Sequence, residues 1–178
     1  MKLKVPFLMP ALFSVWVFSS EKAPIIKVHA YSQAITRGID PGKGVINENG
    51  TEERQHVKPG IQYLIYLEQP GTASIKPELI WIHGVGYSIN SVIVTKTPVV
   101  LENQEVYGES KKNILVQKTS NKVIQLILTG ISDPPANRPA TVKKLIAASD
   151  LVVSYFWKGK RYYAGVKKIK MLEPVAAM

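Results

Sequence analysis

The sequence contains no cysteine. That excludes a disulfide framework, thiolate zinc sites and the lipid-bearing cysteine of a bacterial lipoprotein, so the fold must be held by its core alone. Histidine is scarce too: His29, His56 and His83 stand far apart and match no metal-ligand spacing such as HExxH. They could form a metal site only by converging in space, which is the weaker reading. Aspartate occurs only as Asp40, Asp133 and Asp150, each isolated, so no calcium loop is encoded. Glycine-rich phosphate loops are missing as well. Gly84-Val85-Gly86 is followed by Ile89 where a dinucleotide fingerprint needs its third glycine, and Gly42-Lys43-Gly44 lacks P-loop spacing. Gly86-Tyr87-Ser88-Ile89-Asn90 ends in Asn, so there is no nucleophile elbow. No motif calls for a metal or a cofactor.

What is present begins with an export leader. Lys2 and Lys4 precede a charge-free run over residues 5–18 and two small serines. This pattern predicts a signal peptide over residues 1–19, and Pro10 in the middle of the run argues against a membrane anchor. Cleavage after Ser19 places Val17 and Ser19 at the positions that signal peptidase reads. The remainder, residues 20–178, is one domain, since it is too short for two sizeable cores. Its cysteine-free composition fits bacterial export better than a eukaryotic secretory route, so the protein is expected in the periplasm, at the cell surface or secreted. No second apolar run is long enough to span a membrane.

Hydrophobic residues make up 46% and charged residues 20%, which is globular rather than disordered. Lys and Arg outnumber Asp and Glu by 23 to 13, and losing Lys2 and Lys4 with the leader lowers the net charge from +10 to about +8. Such a field favours anionic partners. An acidic glycan or lipid head group suits it, and nucleic acid is disfavoured in an exported chain.

The hydrophobic pattern is that of strands. Residues 78–96 read as a hairpin across Gly84-Val85-Gly86, with Ile80, Trp81, Ile82, Ile89, Val92, Ile93 and Val94 as its packed residues. Ile26, Val28 and Ala30 alternate with polar neighbours, and residues 61–68 carry apolar bulk on both faces. Residues 36–60 form a long polar connection with a short strand near Val45 and Ile46. A short edge strand is expected over residues 99–101. Residues 113–117 and 123–129 flank a turn and suggest a second hairpin; residues 150–172 suggest a third, folded at Lys158-Gly159 with Tyr155 across from Tyr162 and Trp157 across from Lys160. The only helix expected covers residues 141–149. The fold class is therefore all-β: an antiparallel β-sandwich of eight or nine short strands and at most one short helix. An immunoglobulin-like strand order and a small barrel both fit that count.

Function is less legible. The strongest patch is the third hairpin, where Lys158, Lys160, Arg161, Lys167, Lys168 and Lys170 interleave with Tyr155, Trp157, Tyr162 and Tyr163. Cations beside flat rings can hold an anionic glycan or lipid head group. The same residues also describe a plain strand pair with inward aromatics and edge-protecting lysines. A hydrolase would draw on Glu52, Glu53 and His56 in the long connection, with Glu48, Glu102, Glu105 and Glu109 as further carboxylates; solvated loop charges explain these more simply. The reading with the fewest assumptions is an exported, non-catalytic binding or assembly module of the cell envelope, its partner an envelope protein or an anionic glycan or lipid.

Overall fold

The computed structural model describes residues 23–37, 45–46, 52–53, 60–103, 111–133 and 138–177. The leader expected over residues 1–19, His56 and most of the long polar connection lie outside them.

The strands are β1 (Lys27–Arg37), β2 (Val45–Ile46), β3 (Glu52–Glu53), β4 (Gly60–Gln69), β5 (Lys76–Ile82), β6 (Val85–Val94), β7 (Val99–Asn103), β8 (Lys111–Val116), β9 (Lys122–Ile131), β10 (Leu151–Trp157), β11 (Lys160–Val166) and β12 (Lys170–Ala177). One helix, α1 (Ala140–Ala147), precedes β10. Eight strands form a single sheet in the order β11-β10-β5-β6-β9-β4-β1-β12, while β2-β3 and β7-β8 are separate two-stranded ribbons. All the sheet's pairs are antiparallel except β1 with β12.

The sheet is folded over on itself. Laid flat, β10 and β4 would stand four strand spacings apart, about 19 Å. Instead Leu151, Val153 and Tyr155 of β10 share one core with Ile65 and Leu67 of β4, and edge strand β11 returns against β1. The bend falls at β6, which pairs with both β5 and β9 at Tyr87 and Ser88 and with β9 alone from Ile89 on; the β6-β9 register shifts between Ser88 and Ile89, leaving Thr129 of β9 as the extra residue. Bulges supply this kind of bend. The all-β sandwich thus takes the form of a half-barrel.

Both outer faces are covered as well. Leu64 and Tyr66 of β4 and Tyr31 of β1 are capped by Leu115 and Val116 of the β7-β8 ribbon, and the Tyr31 hydroxyl donates to the Leu115 carbonyl. On the other arm, Val142 and Ile146 of α1 pack on Trp81 and Val152. The helix lies close to β11 at Gly165, where a Cβ would meet Ser149 Oγ at 2.8 Å and Leu145 Cδ1 at 3.0 Å.

Three readings of the sequence need correction. The first hairpin turns on His83-Gly84, with φ of 48° and 84°, and not across Gly84-Val85-Gly86. Two residues of positive φ complete the reversal, so Ile82 already pairs with Val85 and Gly86 lies within β6 opposite Trp81. Beyond the corner β6 is less covered: Val92 and Ile93 remain about half-exposed. Second, β8 does not pair with β9. Thr119 and Asn121, in the connection between them, bond to Thr97 and Glu68, so β8 joins β7 while β9 lies between β4 and β6. Third, the last hairpin arm breaks after Val166. Asp150 Oδ2 accepts the Ile169 amide at 3.0 Å, and Lys170–Ala177 crosses to the opposite sheet edge as β12.

Glu68 ties these parts together. Its carboxylate accepts Asn121 Nδ2 and Thr119 Oγ1 at 2.8 Å each and lies 3.0 Å from His29 Nε2. Burial alone would raise its pKa, but the hydrogen bonds from Asn121, His29 and Thr119, with the Coulombic pull of His29, outweigh that and hold it down to about 2. A carboxyl depressed in the fold contributes stability above its unfolded pKa of about 4.3, and that contribution disappears as pH falls toward the folded value. Chemical denaturation from pH 6 to pH 2 should show the native chain losing on the order of 3 kcal/mol more than Glu68→Gln across this window. Parallel profiles would contradict the account.

Candidate functional site

The pleat divides the residues of the basic aromatic hairpin between two faces. Tyr155 pairs with Tyr162 and Trp157 with Lys160, in the register expected from the Lys158-Gly159 turn. Those four point to the inner face, where Tyr155 is only 4% exposed and Trp157 and Tyr162 pack on the core edge. The rings form a row: Tyr155 stacks on Tyr162 at 5.9 Å, and Trp157 meets Tyr162 edge-on at 5.9 Å. Burial raises the Tyr155 pKa, with Tyr162 adding to the effect. The row is therefore the rim of the core and not an open stacking platform. Lys158 lies over the Trp157 ring at 5.0 Å, and Lys160, Lys167, Lys168 and Lys170 are exposed.

Arg161 and Tyr163 point to the helix-covered face. Arg161 makes a 2.7 Å ion pair with Glu78 Oε1 and its guanidinium lies 5.0 Å over Phe156. The hydrogen bond that Arg161 donates to Glu78 outweighs the opposing effect of burial and, with the charge of Glu78 and the contact with Tyr163, raises the Arg161 pKa above its ordinary value.

Strict alternation along β5 would turn Glu78 inward with Ile80 and Ile82. A bulge prevents this: Ser154 pairs with Leu79 and Tyr155 with Pro77, leaving Glu78 as the extra residue. Ser154 holds the bulge, accepting the Leu79 amide at 3.2 Å and donating to the Leu79 carbonyl at 3.3 Å. Bulges commonly re-aim a side chain in this way.

Glu78 consequently lines a cleft of about 340 Å³ between the start of α1 and the sheet. Trp81 and Tyr163, 6.1 Å apart between ring centroids, flank it together with Arg161, and Arg138 and Pro139 close it from the helix side. Three of its polar atoms are buried without a protein partner: Glu78 Oε2, Trp81 Nε1 and Arg138 Nε. Among the described residues the only other such atom is Gln69 Nε2, on β4. Trp81 is 2% exposed and lines the cleft with its indole N–H unpaired. Arg138 also lines an adjoining open depression of about 600 Å³, with Lys143, His83 and Asp150 around it.

The sequence pointed to Arg161 and Tyr163 but not to their partners. Trp81 was expected as a core residue, which it is, and Glu78 as the start of a hairpin. Arg138 stands alone in a proline-rich connection, and its position just before a helix start was the one available signal.

The other candidates do not converge. His29 is engaged with Glu68 on β1, whereas His83 lies at the β5-β6 turn with its Nδ1 3.9 Å from Asp150. Among the described residues no group of three His, Cys, Asp or Glu side chains is placed to hold a metal, and no helix is long and apolar enough to cross a membrane. Glu102 pairs with Lys112 at 3.0 Å; Glu52 and Glu53 form β3, and Glu48, Glu105 and Glu109 lie outside the described residues. No protein-family model, curated protein or solved structure matches the chain.

Because the Ser154 hydroxyl bonds both the amide and the carbonyl of Leu79 at the bulge, Ser154→Ala should destabilise the fold by about 1–3 kcal/mol in urea titration, as expected for stranding part-buried backbone groups. An unchanged midpoint would mean that the bulge does not depend on the hydroxyl.

Proposed function

We propose that this protein is an exported, non-catalytic binding module of the bacterial cell envelope, and that it takes its ligand in the cleft between α1 and β11. One observation carries the reading: three buried polar atoms without protein partners, two on β5 and one just before α1, belong to residues that line the same small cavity. Each such atom costs about 1–3 kcal/mol when unpaired. A ligand with complementary groups recovers that cost, and gains specificity because an analogue lacking those groups leaves the atoms stranded.

The lining supports binding rather than catalysis. It offers two guanidiniums, an indole N–H, a phenol and one carboxylate that is already clamped by Arg161. Catalysis by the usual routes needs a nucleophile beside a base or a pair of free carboxylates, and the lining brings neither together. The envelope location rests on the leader over residues 1–19 and on the cysteine-free, basic composition.

A second reading, an anionic glycan or lipid head group held on the outer hairpin, draws on Lys158 over Trp157 and on exposed Lys160. The two separate cleanly, because the processed chain keeps only Trp81 and Trp157. In ¹⁵N-labelled protein the Trp81 indole resonance reports the cleft and that of Trp157 reports the hairpin rim. Fractionated envelope extract should shift Trp81. A shift of Trp157 alone would favour the hairpin, and no shift of either resonance would remove the support for a binding module.

A further inference from the structure

We infer that the group held in the cleft is an acidic sugar unit: a ring bearing one carboxylate next to hydroxyls, as in a hexuronate. The inference rests on the binding role proposed for this cleft and specifies its ligand.

The unpartnered atoms define a complement. Arg138 Nε–H and Trp81 Nε1–H both donate, so the ligand must present acceptors to them. Glu78 Oε2 only accepts, so the ligand must also present a donor close by. A bare anion satisfies the first pair and leaves Glu78 facing negative charge. A neutral sugar satisfies Glu78 but not the charge on Arg138.

Charge balance narrows the choice. Glu78 and Arg161 neutralise each other at 2.7 Å, so the cleft's remaining formal charge comes from Arg138. A monoanion with neutral hydroxyl donors brings the site to balance. A zwitterionic amino acid leaves it positive, and a phosphate dianion turns it negative while placing oxygens against the carboxylate. Of the bare anion, neutral sugar, zwitterionic amino acid and phosphate, none meets both the donor pattern and the charge; a hydroxy-acid does.

Size agrees. At about 30 Å³ for each water-sized group, 340 Å³ holds about eleven such groups, close to one monosaccharide acid. Arg138 is shared with the wider depression, where exposed Lys143 stands, so a second acidic unit has space and a cation waiting. This favours the end of an acidic glycan over a free hydroxy-acid.

The test is titration of the exported chain with glucuronate, a short oligogalacturonate, glucose, inorganic phosphate and glycine, followed by the Trp81 indole resonance and by calorimetry. Glucuronate should bind and the oligomer should bind more tightly, with affinity falling steeply toward about 1 M salt, where charges are screened beyond about 3 Å. Arg138→Gln, at a partly exposed position, should weaken binding about tenfold or more; Trp81→Phe should do the same if it folds. Equal binding by glucose, phosphate or glycine, or an unchanged affinity in Arg138→Gln, would overturn the inference. Glucuronate binding as tightly as the oligomer would overturn the glycan-end assignment. If an envelope fraction shifts Trp81 while every uronate leaves it in place, the binding module stands and the acidic sugar falls. If nothing shifts Trp81, both fall.

Discussion

A sheet that is apolar on both faces has to hide both, and this constraint governs the molecule. In β4, Ile65 and Leu67 face one way while Leu64 and Tyr66 face the other, and all four are buried. β10 has the same character, with Leu151 and Val153 inside and Val152 outside, each fully buried. At roughly 1.5–3 kcal/mol for each large side chain withdrawn from water, neither face can be left open. Folding the sheet over at β6 buries the inner face. The outer faces then need separate covers, and the β7-β8 ribbon and α1 supply them.

The cover on the second arm is the imperfect one, and the candidate site arises there. An eight-residue helix is marginal by itself, so α1 depends on docking through Val142 and Ile146. It sits close to β11 at Gly165, where no side chain intervenes, and leaves space near Pro139, where Arg161 and Tyr163 stand on the strand. The bulge at Glu78 turns a carboxylate into that space. A polar cleft is thus a consequence of covering a curled sheet with a short helix. Its unpaired donors and acceptor are what suggest a ligand rather than a packing defect.

The legible parts of this fold were local. Alternation exposed the two-faced character of β4, the Lys158-Gly159 turn fixed the register of Tyr155 with Tyr162, and helical spacing located α1 to within a residue or two. Long-range choices were not legible. Nothing near residues 113–117 indicates that β8 prefers β7, because that choice depends on Thr119 and Asn121 reaching Glu68, some fifty residues away. The parallel pairing of β12 with β1 depends on Asp150 capturing the Ile169 amide. The candidate cleft was hidden for the same reason: Glu78 is aimed by the bond of Ser154 to Leu79, 75 residues apart, and Arg138 meets them only when α1 docks.

The account holds that Arg138 is kept for a ligand and not for the fold, and the stability of Arg138→Met in the free protein tests this most directly. Replacing a buried, unpaired N–H by an apolar stem of similar length should leave the denaturation midpoint unchanged or raise it, since groups retained for function commonly cost stability. A loss of more than about 1 kcal/mol would contradict the account, because it would make Arg138 a structural member of the helix–sheet contact.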